Sequence, residues 1–237
     1  MKHDIDLIIF DCDGVVIDSE IISANVLIDE LFPYGINIDI DYVQQHFLGC
    51  NFQSVKQKIK SNLQVQLPDS FEARYHQVLL TAFETQLTTT EGFKAFLASL
   101  TIPFCIATSS SKKRTDKALD IVGLTDFFNK NNIFTADEVE NGKPAPDLFL
   151  HAAKQMQVNK QHCLVIEDSF FGGSAAKNAN MSVVHYVGGK HLPDGTNIVS
   201  SVFSDVPVLD NWRKFSELVP AVVTINNSFT LNKSNDN

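Results

Sequence analysis

The chain has 237 residues, of which 44% are hydrophobic, and it carries a formal net charge of −9. Its length and hydrophobic content allow a sizeable core, built either as one large domain or as a core with a smaller domain. No apolar run approaches the ~20 residues of a membrane-spanning helix, and the acidic balance argues against nucleic acid as a partner, because phosphate backbones are bound by basic patches.

The N-terminal residues MKHDIDLIIF run directly into an apolar segment, without a signal-peptide hydrophobic region and cleavage site. We therefore expect a cytoplasmic protein. The cysteines form no CxxC pair that would indicate zinc or a redox couple. Three of them lie in or beside apolar runs, where reduced, buried cysteines are common; the four are Cys12, Cys50, Cys105 and Cys163.

The first apolar run, residues 7–10, predicts a strand that is buried on both faces, as in parallel sheets covered by helices. Asp11 and Asp13 follow it, at the position where open α/β sheets bind ligands. Gly14 then allows a sharp turn. Two carboxylates this close repel each other, so that one takes up a proton or a cation lies between them. The alternative is that both aspartates only cap the turn.

The next segment, from about residue 18 to 87, has helical spacing and no convincing strand. Pro33 and Gly35 separate its first helix from the next. Ordinary connections have a median of about 4–6 residues, so this segment predicts a helical cap domain inserted after the first strand.

From residue 90 onward the pattern alternates between helix and strand, which predicts a parallel sheet with right-handed crossovers. Helices are expected over 91–100, 112–122, 145–156 and 172–180, and strands over 104–107, 133–134, 163–166 and 182–187. The predicted fold class is α/β: a Rossmann-like parallel sheet core with an inserted α-helical cap domain. We assign residues 1–17 and 88–225 to the core, 18–87 to the cap, and 226–237 to a polar, disordered tail.

Polar residues of complementary chemistry follow the predicted strands or lie in the adjoining loops: Asp11, Asp13, Thr108, Ser109, Ser110, Lys143, Glu167 and Asp168. Magnesium prefers oxygen ligands and takes one or two carboxylates together with water and phosphate oxygens. Asp11 and Asp168 are the expected carboxylate ligands, with the backbone carbonyl of Asp13; Glu167 is a further candidate.

Thr108, Ser109 and Ser110 precede a predicted helix N-terminus and can bind phosphate. Lys143 would offset the charge of the phosphate and of Asp11. Together these groups predict a phosphoryl-transfer site.

In that site Asp11 would be the nucleophile that forms an aspartyl-phosphate. Asp13 would be the general acid and base, and a neighbouring charge is expected to raise the pKa of whichever aspartate stays outside the metal shell. Each element has an ordinary alternative: the serines could be a helix N-cap, Lys143 an exposed loop lysine, and residues 167–168 a solvated turn.

These motifs resemble the haloacid dehalogenase superfamily, and within it the β-phosphoglucomutase-like, CbbY-type sugar phosphatases with a helical cap. The four matching segments are DCDGVV from Asp11, IATSSS around Ser109, GKPAPD around Lys143, and IEDSFFG from Ile166. The resemblance implies magnesium dependence, small phosphorylated metabolites as substrates, and the roles just given to Asp11 and Asp13.

Three departures refine this expectation. Asp13 argues against dehalogenation, because dehalogenases lack it, whereas Ser23 and Phe52 stand where the mutases have a histidine and a phosphate-binding arginine. We therefore expect a magnesium-dependent phosphatase acting on a small-molecule phosphate ester, without nucleic acid or membrane partners, as a monomer or weak dimer. A phosphosugar mutase and a non-enzymatic, receiver-like phosphate sensor are the alternatives. A receiver would need neither the cap nor Asp13.

Overall fold

The computed structural model describes residues 5–47, 49–192 and 201–219. Its strands are β1 (Leu7–Phe10), β2 (Phe104–Thr108), β3 (Ile133–Thr135), β4 (Cys163–Glu167), β5 (Ser182–Tyr186) and β6 (Val208–Leu209). They form one sheet in the order β3-β2-β1-β4-β5-β6, and every neighbouring pair is parallel. The predicted Rossmann-like α/β class is confirmed.

The α-helices of the described residues pack against both faces of this sheet or lie in the segment between β1 and β2. They are α1 (Glu20–Leu31), α2 (Ile40–His46), α3 (Phe52–Asn62), α4 (Phe71–Gln86), α5 (Phe93–Leu97), α6 (Lys112–Ile121), α7 (Asp147–Gln155), α8 (Phe170–Asn178) and α9 (Phe215–Leu218). No helix in these ranges is both long enough and apolar enough to cross a membrane.

The central strand β1 is fully buried because both faces of the sheet are covered. Successive side chains of a strand point to opposite faces. Accordingly Ile8 and Phe10 belong to one hydrophobic core, and Leu7 and Ile9 belong to the core on the other face. Phe10 packs edge-on against Trp212, with ring centroids 5.9 Å apart. This two-sided burial fixes the end of β1, and therefore the position of the residue that follows it.

The strand order reverses next to β1, which pairs with β2 on one side and with β4 on the other. In doubly wound sheets this reversal opens a crevice beyond the carboxyl ends of the strands, and ligands bind there. Asp11 follows β1, while β4 ends at Glu167 and Asp168 follows it. The topology thus brings the predicted acidic residues to a single crevice.

Three predicted helices differ from the structure at their ends. The helix expected over 91–100 is only α5, because Gly92 precedes it with a left-handed φ of 82°. Helix α7 begins two residues later than expected, with Pro146 as its N-cap. Helix α8 begins two residues earlier, because the Ser169 hydroxyl accepts a hydrogen bond from the Gly172 amide. It ends before Asn180, whose φ is 56°, a conformation that asparagine tolerates. Strand β6 was not predicted.

The helices α1 to α4 lie within the predicted cap, and the two connections that join this segment to the sheet run side by side. The amide of Asp18 donates to the carbonyl oxygen of Thr88 at 2.9 Å, and Ile17 bridges to Thr89. The exact domain boundaries, the cytoplasmic location and the monomeric or weakly dimeric state stay predictions. The predicted tail, residues 226–237, lies outside the described residues.

Candidate active site

Asp11 and Lys143 form the centre of the site. The Asp11 amide donates to the Ile166 carbonyl at 3.0 Å, which continues the ladder between β1 and β4. Lys143 Nζ lies 2.5 Å from Asp11 Oδ1 and 2.7 Å from Glu167 Oε1. The lysine side chain is only 1% exposed, so it is not the exposed loop lysine of the ordinary alternative. A lysine this buried requires the two carboxylates as partners.

Glu167 is fully buried, and both of its carboxylate oxygens have hydrogen-bond partners. Oε1 accepts from Lys143, while Oε2 accepts from the amide and the hydroxyl of Ser169 at 2.8 and 3.0 Å. A Cβ atom on Gly172 would lie 1.6 Å from Oε1, so this glycine leaves the space that the carboxylate occupies. The arrangement favours Glu167 as the residue that positions Lys143, rather than as the metal ligand considered from the sequence.

Burial dominates the ionisation of these groups. Burial raises the pKa of Asp11 well above its usual range, Lys143 opposes this rise, and Glu167 adds to it. Burial also raises the pKa of Asp168, and the charge of Glu167 acts in the same direction. Burial alone would lower the pKa of Lys143, but Asp11 and Glu167 carry it above its ordinary value. The crevice therefore holds more negative charge than Lys143 balances, which favours a cation as a further occupant.

Asp13 lies in a different environment, which the sequence did not predict. Its carboxylate pairs with both terminal nitrogens of Arg114, at 2.6 and 2.7 Å, and it accepts hydrogen bonds from the hydroxyls of Ser19 and Ser110. Burial would raise the pKa of Asp13, but Arg114 and these hydrogen bonds lower it to about 2. The expectation that a neighbouring charge raises this pKa is therefore wrong for the arrangement in the structure, because the decisive neighbour is a cation.

Arg114 projects from α6, and its side chain is 10% exposed. Its guanidinium also contacts the Ser110 hydroxyl and lies 3.3 Å from the Ser23 hydroxyl of α1. One sequence signal could have found it: Arg114 is one helical turn after Ser110, and residues four apart lie on the same side of a helix.

The predicted phosphate-binding residues in the loop after β2 make different contacts. Thr108 is buried, and its hydroxyl accepts a hydrogen bond from the Ser110 amide at 3.1 Å, which shapes the turn. The Ser110 hydroxyl donates to Asp13 at 2.7 Å. Ser109 lines the cavity. Ser109, Lys143 and the N-terminus of α6 thus remain the groups best placed to bind phosphate oxygens.

Asp168 provides the test of whether a metal fits. Its Oδ2 atom is buried and accepts no hydrogen bond from the described part of the chain, although His191 Nε2 lies 2.8 Å away. Among the described residues, no group of three or more histidine, cysteine, aspartate or glutamate side chains could hold a metal ion alone. Magnesium does not require such a group, because it takes one or two carboxylates together with water and phosphate oxygens. Asp11 and Asp168 fit this requirement.

A cavity of about 280 Å³ lies between this crevice and the helices of residues 20–86. Its lining includes Glu20, Gly49, Cys50 and Asn51 from the cap side. Burial raises the pKa of Glu20 to about 8. His76 also lines the cavity.

The sequence matches the family model for haloacid dehalogenase-like hydrolases over residues 8–186. This range runs from β1 to the end of β5 and includes Asp11, Asp13, Arg114, Lys143 and Asp168. The chain belongs to the haloacid dehalogenase-like hydrolase family. The superfamily and the enzyme class that the four motifs predicted are confirmed.

Named relatives of this haloacid dehalogenase-like hydrolase include two Escherichia coli proteins. The 6-phosphogluconate phosphatase is 27% identical over 188 residues, which cover 79% of this chain and 85% of the relative. The fructose-1-phosphate phosphatase YqaB is 30% identical over 182 residues, covering 75% and 94%. A crystal structure from Agrobacterium tumefaciens, of a conserved haloacid dehalogenase-like protein of unknown function, is 32% identical with a TM-score of 0.77, covering 92% and 98%.

Two further predictions concern the cysteines and Phe52. Cys12, Cys105 and Cys163 are buried and free, as expected for reduced core cysteines. Phe52, which the resemblance aligns with an arginine of the mutases, stacks on Tyr75 with ring centroids 5.1 Å apart. Both rings line the cavity, so its wall is aromatic here.

Proposed function

We propose that this chain is a magnesium-dependent phosphatase that hydrolyses sugar or polyol phosphates through an aspartyl-phosphate on Asp11. The observation that carries the proposal is the position of Asp11: it follows the central strand, faces the cavity, and has one oxygen 2.5 Å from buried Lys143. The two relatives named as phosphatases of 6-phosphogluconate and fructose-1-phosphate support the substrate class.

The cavity supports a small, hydroxylated substrate. Its volume of about 280 Å³ is close to the lower end of small-molecule pockets, which begin at about 300 Å³. A macromolecule would not enter it. Ser23, Asn51 and Gln53 line it opposite the acidic crevice, and their hydroxyl and amide groups can both donate to and accept from sugar hydroxyls.

In the first step, an oxygen of Asp11 forms a bond to phosphorus while the bond from phosphorus to the ester oxygen breaks. Lys143 and Ser109 hold the oxygens of the transferred phosphoryl group and offset its charge. The departing ester oxygen takes a proton from Asp13 and leaves as an alcohol. Because Arg114 stabilises the carboxylate form of Asp13, this proton transfer requires the contacts between the two side chains to lengthen once substrate is bound.

In the second step, water attacks the phosphorus of the aspartyl-phosphate, and Asp13 accepts the proton that the water loses. The bond between phosphorus and Asp11 breaks, which releases inorganic phosphate and restores the carboxylate. The deprotonated state of Asp13 favoured by Arg114, Ser19 and Ser110 suits this second role.

Asp11 and Asp168 are the carboxylates that would hold magnesium, with the backbone carbonyl of Asp13 as a third oxygen. When bound, the ion would neutralise negative charge on the phosphate and between the carboxylates. Both carboxylates line the same cavity, beside the phosphate-binding loop after β2, which supports this assignment.

Phosphatase activity is favoured over mutase activity by the cap side of the cavity. A mutase must hold a second phosphate during two half-reactions. Phe52 provides no cation for this, and Ser23 replaces the mutase histidine. Arg114 is a cation near Ser23, but its two terminal nitrogens are already paired with Asp13.

The test is turnover of a chromogenic phosphate ester with magnesium, followed by a panel of sugar and polyol phosphates with free phosphate and isomer formation measured together. We expect free phosphate without isomerisation, and at least about a 10³-fold loss of kcat in Asp11→Asn and Asp13→Asn. Asp116→Asn is the matched control, because Asp116 is half exposed and pairs with Lys112. Full activity of Asp11→Asn would refute the covalent mechanism, and isomer formation would indicate a mutase.

A further inference from the structure

The loop that follows β5 contacts several parts of the molecule at once. We define it as the GGKH loop, residues Gly188, Gly189, Lys190 and His191. His191 Nε2 lies 2.8 Å from Asp168 Oδ2, and both side chains are only 2% exposed. Neither atom has a hydrogen-bond partner elsewhere in the described residues. The imidazole is therefore the polar group that faces this oxygen of the proposed metal ligand.

Two glycines fix the position of this imidazole. A Cβ atom on Gly14 would lie 2.7 Å from His191 Cε1, and a Cβ atom on Gly189 would lie 2.7 Å from the same atom. The Gly14 Cβ would also lie 2.2 Å from Asp168 Oδ2. The histidine and the aspartate thus pack closely against backbone, and little room remains for either side chain to move independently.

The same loop is attached to the cap and to both of its connections. The side-chain amide of Gln44, on α2, donates to the carbonyl oxygen of His191 at 2.9 Å. The Lys190 amide donates to Asp18 at 3.0 Å, and Lys190 Nζ donates to the Thr88 hydroxyl at 3.2 Å. Asp18 and Thr88 are the residues where the chain enters and leaves the cap.

We propose that His191 is a positioning residue that couples closure of the cap to the orientation of Asp168. The proposal rests on the proposed function, because it takes Asp168 as a magnesium ligand. Partners of a ligand's second oxygen hold the ligand in its binding orientation. When the cap lifts, the bond from Gln44 is lost and the GGKH loop loses one of its anchors. When the cap closes, the loop is held and His191 orients Asp168.

Coupling of this kind is reciprocal. If closure orients Asp168, then binding of the ion must favour closure by the same factor. Gln44 contacts the loop through the His191 backbone carbonyl, so its replacement should weaken magnesium binding without touching a ligand. A purely structural role for His191 would not produce this effect of Gln44.

The experiment measures magnesium affinity by titration calorimetry on the full chain, together with kcat and KM. We expect His191→Ala to weaken magnesium binding by about 10–100-fold, and His191→Gln, whose amide can reach Asp168, to recover part of this loss. Gln44→Ala should weaken binding about 5-fold, and it should add little to His191→Ala in the double variant. His162→Gln is the control, because His162 lies beside Asp6 just before β4, at the end of this strand away from Asp168.

A second measurement follows the cap directly. Magnesium should slow hydrogen exchange of the Asp18 amide, which bonds to Thr88 across the two connections, in the wild-type protein but not in Gln44→Ala. Gln44 is on the cap and half-buried, so Gln44→Ala tests the coupling even if His191→Ala does not fold.

Two negative results have different meanings. If the wild-type protein binds no magnesium and releases no phosphate, the proposed function is wrong and the coupling with it. If the wild-type protein does both, and Gln44→Ala matches it in magnesium affinity and kcat, only the coupling is overturned.

Discussion

Replacing Lys143 by methionine should destabilise the protein strongly at neutral pH. The change removes the cation between Asp11 and Glu167, whose side chains are 11% and 0% exposed. Removing one partner of a buried ion pair costs about 3–5 kcal/mol, because the remaining charge is left unpaired in the interior. For a chain of this size about 1 kcal/mol corresponds to about 2–4 °C, so the Tm should fall by about 6–20 °C.

Asp11 determines how this stability deficit, the loss in free energy of unfolding caused by Lys143→Met, depends on pH. Burial, supported by Glu167, already raises the pKa of Asp11 while Lys143 opposes the rise. Without Lys143 the pKa of Asp11 in the folded state lies higher still. A group whose folded-state pKa is raised stabilises the fold below its unfolded-state pKa, and this contribution is lost as the pH rises. The deficit should therefore be large at about pH 7.5 and small near pH 4.

Urea unfolding followed by circular dichroism, at both pH values, measures this difference. Lys117→Met is the matched control, since Lys117 and its partner Asp120 are 43% and 65% exposed; exposed pairs contribute less than about 1 kcal/mol. Two results would refute the reasoning: a Lys143→Met deficit below about 1 kcal/mol at about pH 7.5, or a deficit of the same size at both pH values.

Three other changes test the site. Arg114→Ala leaves the 12%-exposed Asp13 side chain without its cation and should lower the free energy of unfolding by about 3–5 kcal/mol near neutral pH. Because the folded-state pKa of Asp13 is lowered to about 2, that deficit should shrink in urea titrations as the pH falls from about 4 to about 2. Burial raises the pKa of Glu20 to about 8, so its contribution to stability is lost as the pH rises from about 4.5 towards 8; thermal unfolding of Glu20→Gln should show no such loss. Gly172→Ala places a Cβ atom 1.6 Å from Glu167, which forces the carboxylate away from its position and should reduce kcat about 10²-fold while the chain stays folded.

Controls and contrary outcomes differ between these changes. Lys112→Ala removes a cation of the same helix whose pair with Asp116 is 45% and 50% exposed, and it should cost no more than about 1 kcal/mol; an equal cost in the Lys112 and Arg114 variants would contradict the account of Asp13. An unchanged pH dependence in Glu20→Gln would show that Glu20 is not the titrating group. Gly142→Ala meets its nearest atom at 3.5 Å, so it should keep its activity, and equal losses in both glycine variants would contradict the role of Glu167.

The positions of the acidic residues could be predicted from the sequence because each follows an apolar run. The runs before Asp11 and Glu167 are long enough to indicate buried strands, and neighbouring parallel strands end at the same edge of a sheet. The closeness of Lys143 to Asp11 was predicted on charge alone. The burial of its Nζ between two carboxylates could not be predicted, because it depends on the path of the loop after β3.

Arg114 and His191 could not be assigned in the same way. A helical arginine is usually solvated, and the sequence does not show which side of α6 faces the crevice. His191 lies in a loop without periodicity, and its partner Asp168 is 23 positions earlier in the chain. Strand β6, Val208–Leu209, is too short to produce an alternating pattern. In each case the prediction would have required knowledge of the tertiary structure.

The paired entry and exit of the helical segment have a consequence for how this protein can change during evolution. Because Asp18 and Thr88 are hydrogen-bonded neighbours, a short turn could join them, and the sheet would keep every strand pairing. Surface positions with adjacent ends are those that accept inserted domains. Recombination between genes could therefore exchange the whole cap as one unit. The resulting proteins would have new substrate preferences, while the reacting carboxylates and Lys143 would stay unchanged.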